Sequence, residues 1–266
     1  ETSRCTYKLN PGSKLLERWI SMTSMVAYVA SRNPQSQTLR SVRLIQDAVS
    51  ANIDAEWTIL TPNDTTILPS DGTASEFSTG VDHIELNGLD DSARVKKAIE
   101  RCDYLILGSP TYGHNVSGDM KILMDRLTYW GHLFHLAGKP GMAMVSATTN
   151  GFLEVGELME RFMESLGIII DETAYHTTFT PFDEAMADQT AAAIVRALNT
   201  LRDGVVPETS ERQELAFQSY KRDYARRDGS DAESRYWRER GMFDCATFHE
   251  YVETRRKLPE SVHAER

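Results

Sequence analysis

From Met25 onward the chain repeats one pattern: a short apolar run, a polar loop, then apolar residues spaced by three and four. The runs MVAYVA (25–30), EWTIL (56–60), YLILG (104–108), GMAMVSA (141–147) and IIIDETAYH (from 168) predict five strands. Between the first two, TLRSVRLIQDAV sets Leu39, Val42, Ile45 and Val49 on one helical face. Further helices are expected over 90–102, 117–130, 153–167 and 184–204, with Asp90 or Asp91 placed to cap the first and Gly167 placed to close the third. Residues 61–90, rich in Thr, Ser, Pro, Asp and Gly, read as a long excursion with little regular structure. YLILG is nearly all apolar, as a strand buried on both faces must be. Strand–helix alternation of this kind builds a parallel sheet covered on both sides. Such sheets bind ligands at the carboxyl ends of their strands, which directs attention to the loops 31–37, 109–116 and 147–153.

Three segments follow from the pattern: an N-terminal arm (1–24), in which LLERWI suggests one or two helical turns, a body (25–205), and an extension (206–266). The extension is highly charged yet keeps its aromatics, and Phe217, Tyr220 and Tyr224 share one helix face. A disordered tail is aromatic-poor. A helical extension packed on the body or on a neighbouring subunit is therefore expected.

Composition narrows the function. Of 266 residues 41% are apolar, enough for a core, and the net charge is −10, which argues against nucleic acid and anionic membranes as partners. Residues 208–266 carry 12 Lys/Arg and 13 Asp/Glu, so most of the negative charge lies in the body. Three separated cysteines, Cys5, Cys102 and Cys245, fit a reducing, cytoplasmic setting and give no disulfide framework. No apolar run approaches the roughly 18 residues of a membrane span, and no signal peptide is visible. His132 and His135 lie three apart without an evident carboxylate partner, so no metal site is expected. Gly113-x-x-x-x-Gly118 has P-loop spacing, but Asp119-Met120 stand where that motif needs Lys and Ser/Thr. No G-x-G-x-x-G and no G-x-S-x-G is present.

The three loops carry the remaining chemistry. SRNPQSQT follows the first strand and opens a helix; hydroxyls, amides and free N–H groups there suit a phosphate monoester, although Ser36 or Thr38 as a simple helix cap explains the loop equally well. In GSPTYGHN, Pro110 stiffens the strand exit, Tyr112 offers a flat face, Gly113 permits close approach, and Asn115 can reach a heterocycle edge. Taken alone, a loop Tyr more often serves packing than a ligand contact. SATTNG could border the same pocket or be ordinary turn chemistry. Together the loops describe a phosphate cradle, an aromatic wall and a polar rim, a site that a flavin mononucleotide fits.

Three elements in order resemble the NAD(P)H-dependent FMN reductases of the flavodoxin-like fold: GSPTYGHNVSGDMKILMDRL, SRNPQSQT and AGKPGMAMVSATTNG. The resemblance covers roughly residues 25–200. It implies a five-stranded sheet of order 2-1-3-4-5 with helices on both faces, and FMN and NAD(P)H as cofactors. Carried over by position, Ser31, Arg32, Ser36, Gln37 and Thr38 hold the phosphate. Pro110, Thr111, Tyr112, Gly113 and Asn115 line the ring and ribityl chain, and Thr148, Thr149 and Gly151 border the ring. Tyr112 and His114 are candidate substrate contacts, while Asp125 and Arg126 are assigned to packing or a subunit contact. The family's iron–sulfur branch clusters cysteines after strand two, where 61–90 has none. The implied reaction is ping-pong hydride transfer from nicotinamide to flavin N5 and on to a flavin, quinone or other small acceptor, in a homodimer or homotetramer. The rivals are an electron carrier, a non-catalytic partner-binding protein working through its aromatic tail, and a specialised reductase whose excursion and tail shape a substrate pocket.

Overall fold

The computed structural model describes residues 22–257, so the LLERWI segment lies outside the described residues. Five parallel strands, β1 (Thr23–Val29), β2 (Ala55–Leu60), β3 (Tyr104–Pro110), β4 (Pro140–Ser146) and β5 (Ile169–His176), pair in the order β2-β1-β3-β4-β5. This is the flavodoxin-like order. β3 and β4 are buried at every position, whereas edge strand β2 alternates between half-buried and exposed residues. Strand β1 begins two residues before the apolar run, because Thr23 and Ser24 continue the ladder opposite Ala55 and Glu56.

Helices cover both faces. On one, α1 (Gln37–Ser50) and α7 (Glu184–Arg202) bury Val42, Ile45, Ala191 and Ile194 against Met25, Ala27, Ile106 and Met144. On the other, α4 (Ser92–Arg101), α5 (Gly118–His132) and α6 (Phe152–Ser165) bury Ile99, Leu123, Leu127 and Met159 against Val26, Tyr28, Leu105 and Val145. Alternation along β1 and β3 sends successive side chains to the two cores.

The 61–90 excursion is more ordered than its composition suggests. It holds two short helices, α2 (Ser75–Thr79) and α3 (His83–Leu86), the latter capped by the Asp82 carboxylate, which accepts from the N–H groups of Ile84 and Glu85. The aspartates expected to cap α4 do more than that. Asp90 accepts from Ser92 N–H but also from Leu68 N–H, and Asp91 accepts from Thr66 N–H rather than capping. Arg126 completes the attachment. Its side chain is 1% exposed and spends all five N–H donors on Asp82, Asp90, the Leu68 carbonyl and the Ser92 hydroxyl. Asp125 instead faces outward and pairs with Lys121.

The extension contributes α8 (Glu211–Tyr224), α9 (Ala232–Glu239) and α10 (Phe248–Lys257). Phe217, Tyr224, Trp237, Phe248 and Tyr251 turn inward around Phe134 and Leu133, and the Trp237 indole N–H donates to the His132 carbonyl at 3.0 Å. The rings are thus core to this chain, not a display surface. Both histidines expected to lack carboxylate partners have them: His132 Nδ1 lies 2.6 Å from Glu233, and His135 Nε2 meets Glu100. Those partners are 101 and 35 residues away along the chain, beyond any local reading. Among the described residues no group of three or more His, Cys, Asp or Glu is placed for a metal, and no helix is long and apolar enough to cross a membrane.

Candidate functional site

The sheet brings the three loops together at the carboxyl ends of β1, β3 and β4. The first turns from β1 into α1. Ser36 caps the helix, its Oγ accepting from Leu39 N–H at 3.4 Å, and the Arg40 N–H goes to the Ser36 carbonyl. Helix geometry leaves the N–H groups of Gln37 and Thr38 with no carbonyl of their own helix, and no acidic residue occupies the first turn. The start of α1 is therefore ready for an anion.

Two of the residues assigned to the phosphate have other duties. Thr38 is fully buried and its Oγ1 lies 2.6 Å from Ser146 Oγ, tying α1 to the end of β4, so only its backbone N–H is left to face an anion. Arg32 reaches away from the helix start and clamps Asp119 on α5 through two bonds of 3.0 and 2.8 Å. Beneath that clamp lies the buried Tyr28 phenol, whose ionisation is opposed first by burial and then by the Asp119 charge. Ser31 is buried in the loop, and Gln37 is exposed at the helix start.

The second loop is a tight reversal. Tyr112 and Asn115 exchange backbone bonds of 2.9 and 3.1 Å around Gly113 (φ +57°) and His114 (φ +60°). Two consecutive left-handed residues make a type I′ geometry. Glycine takes it freely; a histidine there is strained by roughly 1 kcal/mol. Tyr112, at the first position of the turn, is 59% exposed. Ser117 anchors the loop's far end, donating to the Ala30 carbonyl at 2.7 Å while capping α5. Thr111 N–H donates to the Ser146 carbonyl, and its side-chain Oγ1 is buried without a partner.

The third loop closes on the second at Gly151 (φ +78°), where a Cβ would stand 3.0 Å from both His114 Cα and Thr111 Cγ2. Thr148, Thr149 and Asn150 are exposed beside it. The end of β5 supports this loop: the Thr148 carbonyl accepts from Thr178 N–H, and Ala147 N–H donates to the His176 carbonyl. His176, absent from the sequence-based site, accepts the Phe182 N–H on Nδ1 at 3.0 Å. Burial, and then the Arg40 charge, lower its pKa, which suits that acceptor role. Nothing local in its sequence marks it; its position at a strand's carboxyl end does.

The residues present fit a flavin phosphate: an acid-free helix start, hydroxyls around it, an unsatisfied Thr111 hydroxyl, and an exposed aromatic ring. The matching family is described as NADPH-dependent FMN reductase, and the match runs over residues 23–181. The chain belongs to that family. That family's description names FMN and NADPH. An iron–sulfur flavoprotein of Archaeoglobus fulgidus is 37% identical over 81 residues, 30% of this chain. The match spans only 37% of that protein's length. The structure of RosB with a bound 8-demethyl-8-formylriboflavin-5′-phosphate intermediate superposes with a TM-score of 0.57 at 13% identity, covering 78% of this chain and 89% of the other. That likeness shows the shared fold.

Proposed function

We propose that this FMN reductase-family protein takes reducing equivalents from NAD(P)H and delivers them to a small acceptor, a flavin, a quinone or a related molecule, in alternating half-reactions. The observation that carries the reading is the convergence of an anion-ready helix start with the Tyr112 and Gly151 loops at the carboxyl ends of adjacent strands. Bound FMN would supply the hydride chemistry between nicotinamide and acceptor.

The chain's residues bind and orient. The N–H groups of Gln37 and Thr38 with the Ser31 and Ser36 hydroxyls would hold the phosphate. Thr111 would supply its spare hydroxyl to the ribityl chain or ring. Pro110, Tyr112, Gly113 and Asn115 would form one wall, and Thr148, Thr149 and Gly151 the other. His114, exposed and 3.9 Å from Glu154, would touch a substrate at the mouth. Arg32 acts on the site indirectly, by fixing the phosphate loop to α5.

The test is the visible spectrum of the purified protein, loaded with FMN and freed of excess, before and after anaerobic NADPH or NADH. Bound flavin that bleaches, and recovers when a quinone is added, is the expected result. Flavin that resists both nucleotides would turn the reading toward an electron carrier, and failure to retain FMN would reject the site.

A further inference from the structure

A second concavity adjoins the phosphate loop on its outer side, between α1 and edge strand β2. It is an open groove of about 400 Å³, a volume within the range of about 300–1,000 Å³ typical of small-molecule sites. Its floor is apolar: Leu39 of α1 with Trp57 and Ile59 of β2. Pro34 of the phosphate loop closes one end. The rims are polar and of opposite sign. Arg43 stands on the α1 side, and Asn63 and Asp64 on the side of the loop that leaves β2.

Two details set this groove apart from an ordinary surface dent. Arg43 makes no ion pair among the described residues, although the chain has a net charge of −10 and Asp47 lies one turn further along the same helix. An arginine left unpaired in so acidic a protein is available to an anion. In addition, the rim is fastened to the phosphate loop: Asn63 Nδ2 donates to the Arg32 carbonyl at 3.1 Å, and Asp64 is held by the Thr61 hydroxyl at 2.7 Å. The groove and the cradle are thus one continuous surface.

An apolar floor with an indole, a carboxylate on one rim and a guanidinium on the other match the three parts of an adenosine phosphate. A purine lies flat on Trp57 and Pro34, ribose hydroxyls donate to Asp64, and a phosphate pairs with Arg43. We propose that this groove is a binding site for an adenosine-phosphate moiety, distinct from the flavin cradle. The proposal rests on the flavin reading for its position beside a phosphate loop. Two dinucleotides carry the required chemistry: the adenosine half of NADPH, and that of a flavin adenine dinucleotide whose flavin end occupies the cradle.

The test uses FMN-loaded protein, titrated by calorimetry and by tryptophan emission with adenosine 5′-monophosphate and with adenosine 2′,5′-bisphosphate. One molecule per chain is expected, with an emission change that disappears in Trp57→Phe. Arg43→Ala should weaken binding by about tenfold, the loss of one charge-assisted contact, while FMN affinity holds within about twofold because the cradle is a separate contact set. Preference for the bisphosphate with competition by NADP⁺ assigns the groove to the nicotinamide dinucleotide. In protein freed of FMN, displacement of the monophosphate by FAD and not by NADP⁺ assigns it to the flavin dinucleotide. No binding at millimolar probe, binding indifferent to Arg43→Ala, or a probe that merely expels FMN would each overturn the proposal. Retention of FMN in the same samples keeps its failure separate from failure of the flavin reading.

Discussion

Arg126→Met tests how the excursion is attached to the body. The guanidinium makes five bonds: two to Asp82 (3.0 and 2.5 Å), one to Asp90 (2.6 Å), one to the Leu68 carbonyl (3.0 Å) and one to the Ser92 hydroxyl (2.8 Å). The two carboxylates are 7% and 0% exposed. Methionine fills similar volume but strands both charges. Breaking a buried pair from one side costs about 3–5 kcal/mol. Here each carboxylate keeps some donors, Lys96 and two backbone N–H groups for Asp82, and Ser92 with Leu68 N–H for Asp90. The lower figure, about 3 kcal/mol, is therefore expected. For a chain of this size that is a fall in Tm of roughly 6–12 °C. Urea unfolding followed by circular dichroism measures it, and a loss under about 1 kcal/mol would refute the argument. Neutralising the stranded groups as well, in Arg126→Met with Asp82→Asn and Asp90→Asn, should restore part of the loss.

Acid titration of the same variant supplies the sign. Burial pushes the Asp82 carboxyl up, but its bonds to Arg126 and Lys96 and to backbone N–H outweigh burial and hold it at about 2. Asp90 is likewise lowered: burial opposes, and Ser92, Leu68 N–H and Arg126 prevail. Groups depressed in the folded state stabilise it above their unfolded pKa, about 3.9 for Asp. That stability is lost as pH falls below about 4 toward 2. The wild-type protein should lose this increment over that window, and Arg126→Met should lose less, since its two carboxyls no longer sit as low.

Three further outcomes are expected. Gly151→Ala puts a methyl 3.0 Å from His114 and Thr111 at a left-handed φ, so it should cost about 1–2 kcal/mol in stability and weaken FMN by fluorescence titration; unchanged FMN affinity would separate the loop contact from the site. Tyr112→Ala, at an exposed ring, should leave Tm nearly unchanged and weaken FMN several-fold, roughly 1 kcal/mol of ring contact, and an unaltered affinity would remove Tyr112 from the wall. Trp237→Ala empties the centre of the extension's core, where the ring is fully buried, and should cost about 3–5 kcal/mol and open the extension to limited proteolysis; persistent resistance would show that the other rings hold it.

What the sequence revealed, and what it hid, divides by range. Strand β3 was legible because four consecutive apolar side chains running into Gly108 have few other fates, and α1 because Leu39, Val42, Ile45 and Val49 repeat with the helix after a Ser cap. The three loops were legible because each follows directly from a strand. Hidden features depend on partners remote in the chain. Thr38 offers its hydroxyl to Ser146, 108 residues away, so a residue assigned to the phosphate by its hydroxyl serves the sheet with that group. Arg32 looked like a phosphate ligand, but Asp119, 87 residues on, claims it. The excursion looked irregular because its order comes from Arg126, 44 residues beyond Asp82, and not from local periodicity.

The geometry also decides what the extension can influence. Its aromatic core is seated on Leu133 and Phe134, just before β4 begins at Pro140, whereas the candidate site lies beyond the ends of β3 and β4 at Pro110 and Ser146. A seven-residue strand spans about 23 Å, so the rings of the extension cannot line the pocket at the other end of the sheet. The excursion is different. It starts at the phosphate loop, where Asn63 bonds Arg32, passes the buried Arg126 network, and reaches the extension, where Gly80 lies against Ala232 and Phe77 packs on Tyr129 and His132. The extension also touches the body directly, through Arg212 and Gln213 on Glu164 of α6 and through Glu233 and Trp237 on His132 of α5, helices whose other ends open at the Gly151 and Ser117 loops, so residues 61–90, α5 and α6 all connect it to the site. Trp237→Ala should perturb FMN binding less than it perturbs stability, because the rings lie at the far end of the sheet, and a Trp237→Ala variant that loses FMN while its body stays folded would refute that separation.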